Sequence, residues 1–147
     1  MKEIEEIQSK LISTLSENLN LRNTIKEQDK EKHDLMSDFF SSIIKIIDMF
    51  ENKEENFSER LKGKNADAEK IIQSYSSIKK QMLNILKNYG VTQLEFPENR
   101  LIIGFSKVVD TEPDTSKKND TIISILKNGY IKGKELIREA ELIVIKN

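Results

Sequence analysis

The sequence contains no cysteine and no tryptophan, and it has only one histidine and two prolines. Without cysteine there are no disulfides, thiolate metal ligands or cysteine nucleophiles, and one histidine excludes a multi-histidine metal site. An excess of basic charge is also missing, because 24 Lys and Arg face 25 Asp and Glu. The long-range field that a nucleic-acid binder needs is therefore absent, and we expect no metal and no nucleic-acid partner.

Long hydrophobic runs are missing as well. The longest, LIIGF at 101–105 and LIVI at 142–145, are far too short to cross a bilayer, and the start MKEIEEIQSK lacks the apolar region of a signal peptide. We therefore expect a soluble cytoplasmic protein with no membrane contact.

Nothing in the sequence has the pattern of a catalytic site. His33 stands between Lys32 and Asp34 in a charged helical stretch, which favours a solvated histidine. The glycines match neither a phosphate-binding loop nor a dinucleotide fingerprint. We expect a protein that is not an enzyme, needs no cofactor and acts through binding surfaces.

The first ninety residues are predicted to be helical, since both prolines and every glycine except Gly63 lie from residue 90 onward. Steps of three and four from Ile4 to Phe39 give a heptad seam, weakened by polar residues such as Asn18 and Lys32. A helix over 1–51 would be about 75 Å long, so it cannot bury its apolar stripe within one small chain. A parallel homodimer is the simplest solution.

A second, shorter helix is predicted after a polar loop over 52–64, with Asn65 as its N-cap and Gly90 at its C-terminal end. Two long and two short helices from a dimer would form a four-helix bundle. The predicted dimer and bundle positions are Leu11, Leu21, Ile25, Leu35, Phe39, Ile43, Ile44, Ile47, Ile71, Tyr75, Ile78, Met82, Ile85 and Tyr89.

After Gly90 the apolar period changes to two, which predicts strands. We expect them over 101–109, 122–126, 136–138 and 141–145, with a loop over 111–120, a break at 129–130 and a turn at 132–133. The predicted fold class is α+β: a long helix forming a parallel dimeric coiled coil, a dimeric four-helix bundle and a small C-terminal β-domain. The predicted domains are 1–38, 39–90 and 91–147.

Three blocks resemble one known family. The stretch KNGYIKGKELIREAELIVIK at 127–146 resembles the signature that ends GrpE proteins, with its Gly-Tyr, Ile-Arg and alternating apolar residues. FFSSIIKIIDMFE at 39–51 and MLNILKNYGV at 82–91 are similar to two further family segments, in the correct order. Together the resemblance covers roughly residues 20–146.

The resemblance implies a homodimeric co-chaperone. GrpE proteins bind the nucleotide-binding domain of a DnaK-type heat-shock chaperone, open its cleft and speed ADP release, so the adenine nucleotide belongs to the partner. The family's long helices are thought to act as thermosensors. The weak heptad seam of this chain is in line with that role.

The chain departs from the family pattern at several positions. Ile102, Ile103 and Gly104 stand where the family has His-Glu/Gln-Ala, and Lys45 replaces a proline. Asn52 stands at the position of a chaperone-contacting arginine. We infer a divergent member matched to a specialised DnaK-like partner.

The resemblance also gives candidate residues for chaperone binding, at the end of the 39–51 block and in the C-terminal signature. Tyr130 suits the core better than an interface, whereas Leu142 and Val144 suit either place. Arg138 is also compatible with structural pairing or with a plain surface cation. The alternative function is a coiled-coil scaffold or adaptor whose β-domain binds another protein without exchange activity. The candidates are Phe50, Glu51, Asn52, Tyr130, Lys132, Lys134, Glu135, Arg138, Leu142 and Val144.

Overall fold

The computed structural model describes residues 1–61 and 66–147. These residues form two α-helices, a short 3₁₀ turn at Pro97–Asn99 and six strands, in agreement with the predicted α+β class. The chain divides into two compact units, Met1–Phe39 and Phe40–Asn147. The helices are α1 (Lys2–Leu61) and α2 (Ala66–Asn88), and the strands are β1 (Val91–Gln93), β2 (Ser106–Glu112), β3 (Ile122–Lys127), β4 (Tyr130–Lys132), β5 (Glu135–Arg138) and β6 (Ala140–Ile145).

The unit Met1–Phe39 consists of the first part of α1, which confirms the predicted helix. Its apolar stripe is exposed along the chain, with Leu11 at 58%, Leu21 at 57% and Ile25 at 57%. Leu35 and Phe39 continue the exposed stripe. Within one chain this surface stays in contact with water.

In the unit Phe40–Asn147, the remainder of α1 contacts α2. Phe40, Ile44 and Ile47 are fully buried at steps of four and three, as one helical face requires. The ring of Tyr75 on α2 lies 5.6 Å from that of Phe50 and 5.7 Å from that of Phe57. These contacts hold the two helices together.

The predicted loop over 52–64 is wrong for its first part, because α1 continues to Leu61. Neither proline nor glycine interrupts residues 52–61, and Phe57 stacks on Tyr75. Lys79 Nζ on α2 also lies 2.6 Å from Glu54 Oε2, and both side chains are about a quarter exposed. Residues 52–61 were predicted as a loop because they are polar, but contacts with α2 stabilise them as a helix. The predicted N-cap, Asn65, lies outside the described residues.

Gly90 ends the helical part as predicted. Its φ of 80° lies in the left-handed region, where glycine avoids the steric cost of a side chain. The chain turns here from α2 directly into β1.

The strands form two sheets of three. The first has the order β1-β4-β5 and is antiparallel throughout. In the second, β6 lies in the centre, parallel to β2 and antiparallel to β3. Ala140, Leu142 and Val144 on one face of β6 form the centre of a hydrophobic cluster, against which Leu94, Phe96, Leu101 and Ile122 pack.

The predicted strands over 122–126, 136–138 and 141–145 are confirmed. The predicted strand over 101–109 is wrong in its first half, because a turn precedes β2. There Phe105 N donates to Ile102 O at 3.3 Å, Gly104 has a φ of 85° and Ile103 is 90% exposed. At its other end β2 extends to Glu112, so the predicted loop over 111–120 begins later.

Two three-residue strands were not predicted. β4 lies between β1 and β5 and pairs with both, and Tyr130 and Lys132 begin and end it where a break and a turn are predicted. Strands this short carry almost no periodic signal of their own.

Candidate functional site

Two acidic residues of α1 connect the helix to the strands. Asp48 and Glu51 are three residues apart and therefore lie on the same face of α1. Asp48 binds Arg138 at the end of β5, and Glu51 binds Asn128 between β3 and β4. We call these four residues the helix–strand network.

Arg138 makes the densest set of contacts in this network. Its Nη1 and Nη2 atoms donate to the two carboxylate oxygens of Asp48, and the Nη2 contact is 2.8 Å long. Nε and Nη2 also donate to the backbone oxygen of Asn128, at 3.0 and 2.7 Å. Burial disfavours the charge on Arg138, but hydrogen bonding and attraction to Asp48 raise its pKa above the ordinary value. The guanidinium of Arg138 therefore keeps its positive charge at neutral pH.

Asn128 connects Arg138 to the second acidic residue, Glu51. Its Nδ2 donates to Glu51 Oε1 at 3.2 Å and to Oε2 at 3.3 Å. Burial raises the pKa of Glu51, while attraction to Lys79 and the hydrogen bond from Asn128 oppose this effect. The amide thus compensates part of the cost of placing a second carboxylate beside Asp48.

Gly129, between Asn128 and the start of β4, lies in close contact with Leu94 and with the start of β6. A Cβ on Gly129 would lie 2.7 Å from the backbone nitrogen of Ala140 and closer still to the side chain of Leu94. Only glycine allows this approach without a shift of the neighbouring chain.

Tyr130 lies beneath Arg138 and is fully buried. Its ring centroid is 5.3 Å from the guanidinium carbon of Arg138, and its hydroxyl oxygen accepts a hydrogen bond from Gln93 Nε2 at 3.1 Å. Burial raises the pKa of Tyr130 to about 12. The phenol is therefore a neutral part of the core at physiological pH.

A cation and two aromatic rings form a second contact between helices and strands. Lys132 Nζ of β4 lies 5.1 Å from the ring centroid of Phe40 on α1, within the range of a cation–π interaction. The rings of Phe40 and Tyr89 are 6.0 Å apart. Lys132 is half-buried by this contact.

The structure brings together only part of the predicted site. Glu51, Tyr130 and Arg138 lie in or beside the helix–strand network. Phe50 instead faces Tyr75 of α2, and the exposed Asn52 accepts a hydrogen bond at its backbone oxygen. Lys134 and Glu135 are exposed at the β4–β5 turn.

Leu142 and Val144 lie in the hydrophobic core, with exposed fractions of 0% and 2%. A surface contact requires exposed atoms, so burial supports the core alternative for both residues. It does the same for Tyr130, which is 0% exposed.

Sequence reasoning missed Asp48, Asn128 and Gln93. A signal existed for Asp48, since it is an acid within the apolar helical run IIKIIDMF at 43–50. A charge at such a position is stable only when it is paired. Asn128 and Gln93 carry no comparable signal, because polar residues beside short strands are common.

Several apolar side chains on the strands and beside them are exposed. Among them are Ile103 at 90% and, on β2 and β3, Val109 at 49%, Ile125 at 44% and Leu126 at 52%. Such residues suit contact with another protein. Within residues 1–61 and 66–147, no three His, Cys, Asp or Glu side chains are grouped as a metal site requires. Neither α1 nor α2, as described, has an apolar stretch that would span a bilayer.

Comparison with known proteins identifies a family. The GrpE family model matches residues 1–146. The chain is 28% identical over 137 residues to Protein GrpE of Prochlorococcus marinus strain MIT 9515, covering 92% of this chain and 56% of the relative. It is 30% identical over 112 residues to Protein GrpE of strain MIT 9312, covering 76% of this chain and 45% of the relative.

A third relative, Protein GrpE of strain NATL1A, is 28% identical over 124 residues, which is 84% of this chain and 46% of the relative. The chain thus spans about half the length of the curated relatives it matches. The family match extends over both helices and all six described strands. The chain therefore belongs to the GrpE family.

Proposed function

We propose that the chain acts in the cytoplasm as a nucleotide exchange factor for a DnaK-type chaperone. The observation that carries this proposal is the family match over residues 1–146, in a chain with the helix and strand order expected for the family. The protein would bind the nucleotide-binding domain of its partner as a homodimer. It would act by binding alone, without chemistry of its own.

Exchange of this kind follows from differential affinity. A factor that binds the open state of the chaperone more tightly than the closed state shifts the equilibrium toward the open state, from which ADP leaves faster. By reciprocity, ADP weakens the affinity of the chaperone for the factor.

The exposed surface near the helix–strand network supports a partner contact there. Asn52 on α1 and Lys134 and Glu135 at the β4–β5 turn are exposed, and all three are candidates from the family resemblance. The side chains of Ile125 and Leu126 on β3, three and two residues before Asn128, add exposed apolar area. Polar groups beside an apolar patch are typical of protein interfaces.

The exposed stripes of both helices support a homodimer. On α2, Ile71, Ile78 and Ile85 recur every seven residues and are 47%, 42% and 46% exposed. On α1, exposed Leu11, Leu21, Ile25, Leu35 and Phe39 belong to the heptad seam. A second copy would cover these stripes with the same residues from its own helices. Tyr75 and Met82 are half-buried between the two faces of α2.

The test is stopped-flow release of a fluorescent ADP analogue from the DnaK-type chaperones of the same organism. We expect the chain to accelerate release strongly. Lys134→Ala should reduce the acceleration, because it removes a charge from the proposed surface, whereas Lys118→Ala in the 113–121 loop is the matched control. A folded dimer that accelerates release from none of these chaperones would contradict the proposal.

The second candidate is an adaptor that binds a partner without exchange. Ile103 favours it, because an apolar side chain that is 90% exposed stands where the family has His-Glu/Gln-Ala. The same experiment separates the two functions. An adaptor would form a complex with its partner while the rate of ADP release stays unchanged.

A further inference from the structure

The guanidinium of Arg138 is occupied by groups of its own chain. An arginine has five N–H donors, and here four hydrogen bonds run to Asp48 and Asn128. One face of the guanidinium lies over the Tyr130 ring, and the side chain is only 24% exposed. Little of the group is left for a partner.

These contacts join three parts of the fold that are distant in sequence. Arg138 ends β5, Asn128 lies between β3 and β4, and Asp48 belongs to α1, ninety residues before Arg138. Glu51 binds Asn128 one turn further along α1, so the helix has two anchor points on the strands. Two separated anchor points restrict rotation of the strands about the helix, which a single contact would allow.

We propose that Arg138 is a positioning residue, which sets the orientation of the strands on α1 through Asp48 and Asn128 and does not itself contact the chaperone. This inference rests on the proposed function. It assigns the Ile-Arg pair of the C-terminal block to the geometry of the binding surface. The partner-contacting role then passes to the exposed residues around it.

A fixed orientation of the strands on α1 matters for nucleotide exchange, because the factor must stabilise the open state of its partner. If the strands pivoted on α1, the partner's closed state would be bound almost as well as the open one, and the acceleration at saturation would fall. Ordering a loose strand region on binding also costs conformational entropy. A lost surface contact would instead weaken binding while a saturating concentration restores the full rate.

The test is a double-mutant cycle with Asp48→Ala, Arg138→Ala and the double variant, in the ADP-release assay. Temperatures are kept below the melting transition of every variant, so that a purely stabilising role would leave the rates unchanged. We expect each single change to lower the saturating rate about tenfold and the double variant to be no slower than either one, since residues that act as a unit are not additive. A further loss when Arg138→Ala is added to Asp48→Ala would overturn the inference.

Two more variants separate charge from geometry. Arg138→Lys keeps the charge but loses the bidentate contact with Asp48, so it should behave like Arg138→Ala. If Arg138→Lys accelerated ADP release as fully as the wild type, the positive charge alone would be sufficient, and the inference would be overturned. Arg100→Ala, which removes another arginine that is exposed, is the matched control for lost positive charge.

Amide hydrogen exchange of the free protein tests the same inference independently of exchange activity. Arg138→Ala and Asp48→Ala should both lower the protection of β4 and β5, to the same extent as the double variant. Unchanged protection would overturn the inference. If the wild-type chain fails to accelerate ADP release, the proposed function falls, and this measurement still decides whether Asp48 and Arg138 hold the strands.

Discussion

Position 129 requires glycine because neighbouring atoms lie too close for a side chain, not because of its backbone angles. Its missing Cβ makes room for the backbone of Ala140, whose N–H donates to Phe105 O at 3.1 Å. We expect Gly129→Ala to lower the free energy of unfolding by about 3 kcal/mol, because overpacking would displace the first residue of β6. Urea unfolding followed by fluorescence or circular dichroism measures this loss.

Gly133→Ala is the matched control for that change. Gly133 has a φ of 60°, and an added Cβ would meet nothing within 4 Å. Only backbone strain remains, so the loss should be about 1 kcal/mol. Equal losses at the two glycines would contradict the close-contact explanation.

Because the phenol of Tyr130 is buried, we expect the stability of the fold to depend on pH in the alkaline range. Burial raises its pKa from 10.0 to about 12, so the unfolded chain loses the phenolic proton first. As pH rises from 10 to 12, the unfolded state binds fewer protons than the folded state, and stability falls. Between pH 10 and 12, the free energy of unfolding of the wild type should fall by roughly 2 kcal/mol more than that of Tyr130→Phe. Chemical denaturation at several pH values measures both, and parallel pH profiles would contradict the prediction.

At the residue scale, the sequence identified several members of the site but not their partners. Glu51, Tyr130 and Arg138 were found through the family resemblance, whereas Asp48 and Asn128 were missed. The reason is distance along the chain, since Arg138 and Asp48 are ninety residues apart and no local pattern connects them. Leu142 and Val144 could be placed in the core only once the cluster around them was known.

At the element scale, helices were predicted better than strands. The long run without proline or glycine correctly predicted α1, and apolar residues at steps of three and four predicted α2. The end of α1 was missed because Phe57 and Glu54 are held by α2, a tertiary effect that polar composition conceals. The start of β2 was missed because alternating residues at 101–105 form a turn around Gly104.

The exposed stripe of α2 gives a prediction about assembly. Ile78→Glu places a charge in the middle of the stripe, where a second copy would have to bury it, so the proposed dimer should dissociate at micromolar concentration. Ser77→Glu adds the same charge at the neighbouring exposed position and should leave the dimer intact. Light scattering after size-exclusion chromatography measures both masses. A stable Ile78→Glu dimer would place the interface elsewhere.

At the scale of the whole molecule, the two compact units suggest two thermal transitions. The unit Met1–Phe39 has an exposed seam interrupted by Thr14, Asn18, Gln28 and Lys32, whereas the other unit contains all the fully buried side chains among the described residues. We expect the first unit to lose helix at lower temperature, as seen by circular dichroism at 222 nm. Asn18→Leu should raise only the lower transition, by several degrees. A single cooperative melt would contradict this prediction.

The central position of β6 also affects how the protein is made. β2 and β3 flank β6, and both precede it in the chain. During synthesis, β2 and β3 therefore leave the ribosome before β6, the strand with which both of them pair. Neither strand can form its hydrogen bonds to β6 until β6 has left the exit tunnel. During that interval the apolar side chains of β2 and β3 are open to other nascent chains. The chain would then itself depend on early protection by chaperones during its synthesis.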